Sequence, residues 1–183
     1  MKNIFFLLLF VLLYACEGTP VGHFRPPRQL FHTTAPSQLY FKNMRSYYYA
    51  QSTKAGTRID TYTLKKFSTD SKSPVLIPII ENNWMEDEAY ILLEKNNYPD
   101  WSDTLQLQFD TVEEIELSTI STLNMEAQYA FAKHLYEGLK QGHRINVYTT
   151  NQRWQPLYES QAERANFLRV LQDYYNLTEA SLQ

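Results

Sequence analysis

The hydrophobic period of this chain shifts from two to nearly four midway along it, and that shift limits its fold more than any other feature. Leu105, Leu107 and Phe109 alternate with Thr104, Gln106 and Gln108, the period of two expected of a strand with one wet face. Further on, Phe131, Leu135 and Leu139 recur every four residues, flanked by Ala132 and Tyr136. That spacing places them on one side of a helix, predicted over Met125 to Gln141. Asn124 supplies an N-cap, Glu126 sits near the positive helix end, and Gly142 suits the left-handed residue that closes a helix. A second helix is predicted after Ser160, because Ser160-Gln161-Ala162-Glu163 matches a capping box. Phe167, Leu168, Leu171, Tyr174 and Tyr175 form its apolar face.

Before the first helix the chain reads as strands. Aromatic-rich Leu39 to Tyr49 pairs with Arg58 to Phe67 in a predicted hairpin. Val75 to Ile80 is a buried run whose Pro78 lacks an amide hydrogen and therefore belongs at an edge or bulge. Ala89 to Glu94 follows across the polar segment Glu81 to Glu88, and Ile115 and Leu117 suggest one more short strand. Between the helices, Ile145 to Tyr148 and Trp154 to Tyr158 add two further strands. The sum is an α+β domain, a mostly antiparallel β-sheet with two C-terminal-half helices packed on one face.

The N-terminus carries an address. Met1-Lys2-Asn3 precedes an apolar run from Ile4 to Leu13, followed by Tyr14-Ala15-Cys16. A positive start and a short apolar core mark a secretory signal peptide. The run to Tyr14 is about 11 residues, against roughly 20 for a bilayer-spanning helix. Leu13-Tyr14-Ala15-Cys16 resembles the lipobox of bacterial lipoproteins, with Leu three before the cysteine and a small residue directly before it. The resemblance covers residues 1 to 16. It implies cleavage before Cys16 by signal peptidase II, diacylglycerol on the Cys16 thiol and acylation (palmitate or similar) of the new amino group. Each buried methylene contributes about 0.8 kcal/mol, so two or three chains hold firmly where one does not. Glu17 stands alone after the cysteine, without the lysine or acidic run that surface-exposed lipoproteins of the Bacteroidota share. The expected location is exported and lipid-anchored at the cell or outer membrane, facing the periplasm.

Three regions follow: a signal peptide at 1–15, the lipidated cysteine and a Pro-rich tether at 16–38, and a single α+β domain at 39–183. The tether holds Pro20, Pro26, Pro27 and Pro36, which favour extended chain at ~3.1 Å per residue. Leu30 and Phe31 are candidates to dock onto the domain. The mature chain carries 16 basic and 20 acidic side chains, a formal charge of −4 once Lys2 is removed. This balance is mild and without basic clustering, so nucleic acid is not an expected partner. Cys16 is the only cysteine, so packing and hydrogen bonds must hold the fold. Aromatics make up 15% of the chain, with 14 tyrosines, which suit half-buried sheets and wet interfaces.

Catalytic signatures are scarce. His23 and His32 lie in the tether, while His134 and His143 belong to the first helix and its end, without the carboxylate pattern of a zinc site. His143 complements the helix dipole. No phosphate-cradling glycine loop or nucleophile elbow occurs, so no cofactor, metal or catalytic residue is assigned. The most distinctive segment, Glu81 to Tyr90, sets Glu81, Glu86, Asp87 and Glu88 around Trp84. Two converging carboxylates beside an aromatic platform would suit a hydrolase acting on sugars. A solvated hairpin turn with Trp84 over the sheet edge explains the same residues and is preferred. Trp84, Trp101 and Trp154 are the candidate ligand-binding residues.

The expected role is a non-catalytic binding or accessory lipoprotein, joined to the membrane through Cys16 and with an envelope protein as a possible partner. A glycan- or small-ligand-binding lipoprotein is the alternative, and a carboxylate-dependent hydrolase ranks third.

Overall fold

A computed structural model describes residues 30–68, 72–110, 113–117 (backbone only) and 119–178. The signal peptide, Cys16 and most of the tether lie outside the described residues. The fold is α+β, with eight strands among the described residues in two four-stranded antiparallel sheets. In the first sheet β1 (Tyr49–Thr53), β2 (Ile59–Leu64), β3 (Leu76–Asn83) and β4 (Glu88–Lys95) lie in sequence order. The second runs β6 (Glu113–Leu117), β5 (Leu105–Phe109), β7 (Ile145–Tyr148), β8 (Trp154–Pro156).

The expected first strand is largely helical. Leu39 to Tyr48 is helical, and extended chain begins only at Tyr49. Helix α1 (Ala35–Tyr40) passes into one wide turn over Phe41–Arg45 and one tight turn over Ser46–Tyr48. Thr34 and Ser37 form a capping box, each hydroxyl accepting from the other's amide at 3.3 and 3.0 Å. Aromatic content favours strand only where a pleated surface receives it. Here Ser37, Phe41 and Arg45, four residues apart, point toward the rest of the domain instead. Ser37 Oγ donates to Leu177 O at 2.6 Å, Phe41 is buried, and Arg45 reaches Asp173.

Helices α2 (Met125–Gln141) and α3 (Gln161–Thr178) lie where periodicity and caps place them. Asn124 Oδ1 accepts from Ala127 N at 2.8 Å, Gly142 takes φ 86°, and Ser160 and Glu163 cap one another at 2.9 and 3.1 Å. Helix α2 packs along β4 and reaches the second sheet at Gly138. A Cβ there would sit 2.8 Å from the Phe109 ring, so only glycine allows this approach. Helix α3 crosses β3 and β4, with Tyr174 Oη donating to Ala89 O at 3.3 Å. Pro78 lies in an inner strand rather than at an edge. It stands one residue beyond Ile79, where β2 stops pairing, so only β4 runs beside it.

The free edge of β4 is covered. Ala89 N donates to Phe31 O at 2.8 Å, Thr33 N to Asp87 O at 2.7 Å, and Leu93 N to Gln128 Oε1 at 3.0 Å. Part of the stretch assigned to the tether is thus laid along the sheet, which removes an edge open to pairing with another chain.

Several tyrosines are buried in the interior. Burial raises the phenols of Tyr49, Tyr158, Tyr174 and Tyr175, and pushes Tyr62 and Tyr90 up to about 12. Unfolded phenols ionise near 10, while these stay protonated. Above pH 10 the native state therefore binds more protons than the unfolded chain, so stability is complete below that pH and falls as pH rises through it. We expect part of the tyrosinate absorbance to appear together with a loss of circular dichroism in an alkaline transition above pH 10. Ionisation of every phenol near pH 10 with unchanged dichroism would contradict this.

Candidate ligand groove beneath Trp84

The register of the first sheet builds the groove floor. Thr53, Asp60 and Asn82 stand in one row across β1, β2 and β3. Gln51, Tyr62 and Ile80 make the next row on the same face, since side chains two apart along a strand share a face. Gln38, Leu39 and Lys42 of the N-terminal helical segment form one wall. Trp84, just past β3, and Arg58, from the β1–β2 turn, form the other end. The enclosed space is about 660 Å³, within the usual range of small-ligand sites.

Polar and apolar chemistry meet there. Trp84 is 47% exposed, and Leu39 of the facing wall is also exposed. Asn82 is only 7% exposed, and its buried Oδ1 has no hydrogen-bond partner among the described residues. Leaving such an acceptor unpaired costs about 1–3 kcal/mol. Thr53 Oγ1 donates to Asp60 Oδ1 at 2.7 Å, and Arg58 leans on Met85 Sδ at 3.1 Å. The Tyr62 phenol is pushed up to about 12, first by burial and then by the Asp60 charge, so it is a neutral hydroxyl at physiological pH.

The acidic residues around Trp84 do not converge. Glu81 is buried, lies on the opposite face from Asn82 and pairs with Lys54 Nζ. Asp87 accepts from Gln38 Nε2 at 3.1 Å, Glu88 accepts from the Tyr90 hydroxyl, and Glu86 stands exposed in the turn. None of the four lines the groove, where Asp60 is the sole carboxylate.

The three tryptophans separate as well. Trp101 is half-buried, donates through Nε1 to Asn96 O at 3.1 Å and Asn96 Oδ1 at 3.0 Å, and lies beneath Lys95 Nζ at 5.5 Å. Trp154 packs edge-on against Tyr148 on the second sheet. Only Trp84 lines the groove. Sequence reading missed Asn82, Asp60, Tyr62 and the Gln38 wall. Two polar residues, Glu81 and Asn82, prolonging an apolar run were the one available signal.

The histidines serve elsewhere. His134 packs edge-on against Phe109 at 4.8 Å, and His143 Nδ1 pairs with Asp110. The Arg144 amide, at 2.8 Å, and then His143 hold the Asp110 carboxyl below its ordinary value. Among the described residues no group of His, Cys, Asp and Glu side chains could hold a metal ion, and no helix is long and apolar enough to cross a membrane. No protein-family model, curated protein or solved structure matches this chain.

Proposed function

We propose that the chain is an exported envelope lipoprotein, anchored through Cys16 and facing the periplasm, that binds a polar ligand in the Trp84 groove without transforming it. The exposed Trp84 at one end of a polar-floored groove carries this reading. A ligand hydroxyl or amide hydrogen-bonds to that floor, while its apolar face covers the indole. Gln51, Asp60 and Tyr62 on the floor and Gln38 in the wall add donors and acceptors. Polyhydroxylated ligands such as glycans combine these properties, and a single lining carboxylate favours binding over paired acid–base hydrolysis.

Tryptophan emission of the full chain, titrated with cello- and chito-oligosaccharides, tests the groove. We expect one series to shift the emission, with Trp84→Ala and Asn82→Leu each weakening binding at least about tenfold, as for residues at the centre of a binding site. No response to either series, or undiminished binding by both variants, would refute the glycan site. The anchor is tested separately. Cys16→Ser is expected to release the protein or leave uncleaved precursor, and fractionation and migration like wild type would refute it.

A further inference from the structure

We propose that the outer side of the segment Leu39 to Tyr48 rests on an anionic lipid surface. Five large apolar side chains lie exposed within these ten residues: Leu39, Tyr40, Met44, Tyr47 and Tyr48, with Tyr47 79% exposed. Tyr40, Met44 and Tyr47 are spaced to share the flank left outside when Phe41 and Arg45 turn inward. So concentrated an exposed apolar surface marks a contact.

Its chemistry matches a headgroup layer better than a protein core. Tyrosine places its ring at the acyl boundary and its hydroxyl in water, as in the aromatic belts of membrane proteins. Basic side chains surround the tyrosines. Lys65 Nζ donates to Tyr47 O at 2.9 Å and lies 5.3 Å from the Tyr47 ring centre, and Arg45 sits 5.0 Å from that of Tyr48. Exposed Lys42 and Lys66 complete the set. Between Lys42 and Lys66 the chain carries six basic residues and one acid, Asp60, although its net charge is −3. The β1–β2 hairpin returns Lys65 and Lys66 to the end of the sheet that carries Tyr47 and Tyr48, while Lys54 and Arg58 stand at its opposite tip. Arg45 is spent on Asp173 and Lys54 on Glu81, whereas Lys42, Lys65 and Lys66 have no acidic partner among the described residues.

The N-terminal connection permits this contact. Thirteen residues lie between Cys16 and Leu30, a reach of at most about 50 Å, so the lipid anchor holds the domain, and this face with it, within reach of the bilayer. The contact rests on the anchoring reading for that proximity alone, since the aromatic and basic chemistry belongs to the folded domain.

A site-specific fluorophore tests the contact. Cys16→Ser leaves the full chain free of cysteine, so Met44→Cys can carry an environment-sensitive label, with Glu126→Cys on α2 as the comparison site. The apolar run Ile4 to Leu13 is common to every variant and cancels. With vesicles of phosphatidylcholine and phosphatidylglycerol we expect a blue shift at position 44, none at 126, and reversal by salt. Each basic side chain near an anionic surface is worth about fivefold. Lys42→Ala with Lys65→Ala should therefore reduce the docked-to-free ratio about 30-fold. An equal shift with phosphatidylcholine alone, an equal shift at both sites or no shift would overturn the contact. So would a shift that needs no lipid and grows with protein concentration, which would assign the face to a second copy. Because Cys16 is replaced throughout, failure here leaves the anchor untouched, and an unmodified thiol at Cys16 in the native protein would leave this measurement valid.

Discussion

Asp173→Ala is expected to lower the unfolding free energy by about 3–5 kcal/mol, the usual cost of removing one partner from a buried ion pair. Asp173 is 4% exposed on α3. Its carboxylate accepts from Arg45 Nε and Nη2, both at 2.8 Å, and from the Tyr49 hydroxyl at 2.7 Å. The two-pronged guanidinium contact is the strong form of a charge-assisted bond. Removal strands a largely buried cation and a buried phenol together. It also frees the helical segment Ala35 to Tyr48 from α3, leaving Ser37 Oγ to Leu177 O as its other polar tie. Urea unfolding measures the loss, and amide exchange should rise first over residues 35 to 48. Arg45→Met combined with Asp173→Leu should recover much of the deficit, because an apolar pair of similar volume needs no desolvation. A loss below about 1 kcal/mol for Asp173→Ala, the size of an exposed pair, would show that the contact is solvated.

Tyr158→Ala should cost a similar ~3–5 kcal/mol, as large-to-small changes of buried aromatic residues do. Tyr158 follows β8 of the second sheet yet is bound to the first. Its fully buried hydroxyl donates to Leu76 O at 2.8 Å, its amide reaches Pro74 O at 3.3 Å, and its ring meets Phe167 of α3 at 5.1 Å. It holds φ at 61°, uncommon for a bulky residue, so the surrounding packing must impose that backbone. Tyr158→Phe retains the ring and should cost only about 0.5–1.5 kcal/mol, the net worth of one hydrogen bond. A loss for Tyr158→Ala no larger than that for Tyr158→Phe would show that the ring contributes little to joining the two sheets.

The groove was only partly legible in sequence. Trp84 and the acids beside it drew attention as a cluster, but a run of neighbours in a turn says nothing about where each side chain ends. The hairpin register sends Glu81 to one face and Asn82 to the other, and Lys54, Gln38 and Tyr90 engage three of the four acids. Asp60 and Tyr62 had no signature, because their role comes from strands paired across intervals no local pattern records. The expected strand over Leu39 to Tyr49 failed for the same reason: its partners, Asp173 and Leu177, lie more than a hundred residues away.

The α+β class, the span of α2, the start of α3, the N-terminal caps of both and Gly142 at the end of α2 were determined by sequence alone. Helical period and capping involve residues three or four apart, so the necessary information is contiguous. Only the tertiary structure decided the division into two sheets, the helical entry through Phe41, the inward turn of Tyr158 and the unpaired Asn82 beneath Trp84. Each depends on contacts between distant segments, where the free energy of packing outweighs local preference and no short stretch of chain carries the answer.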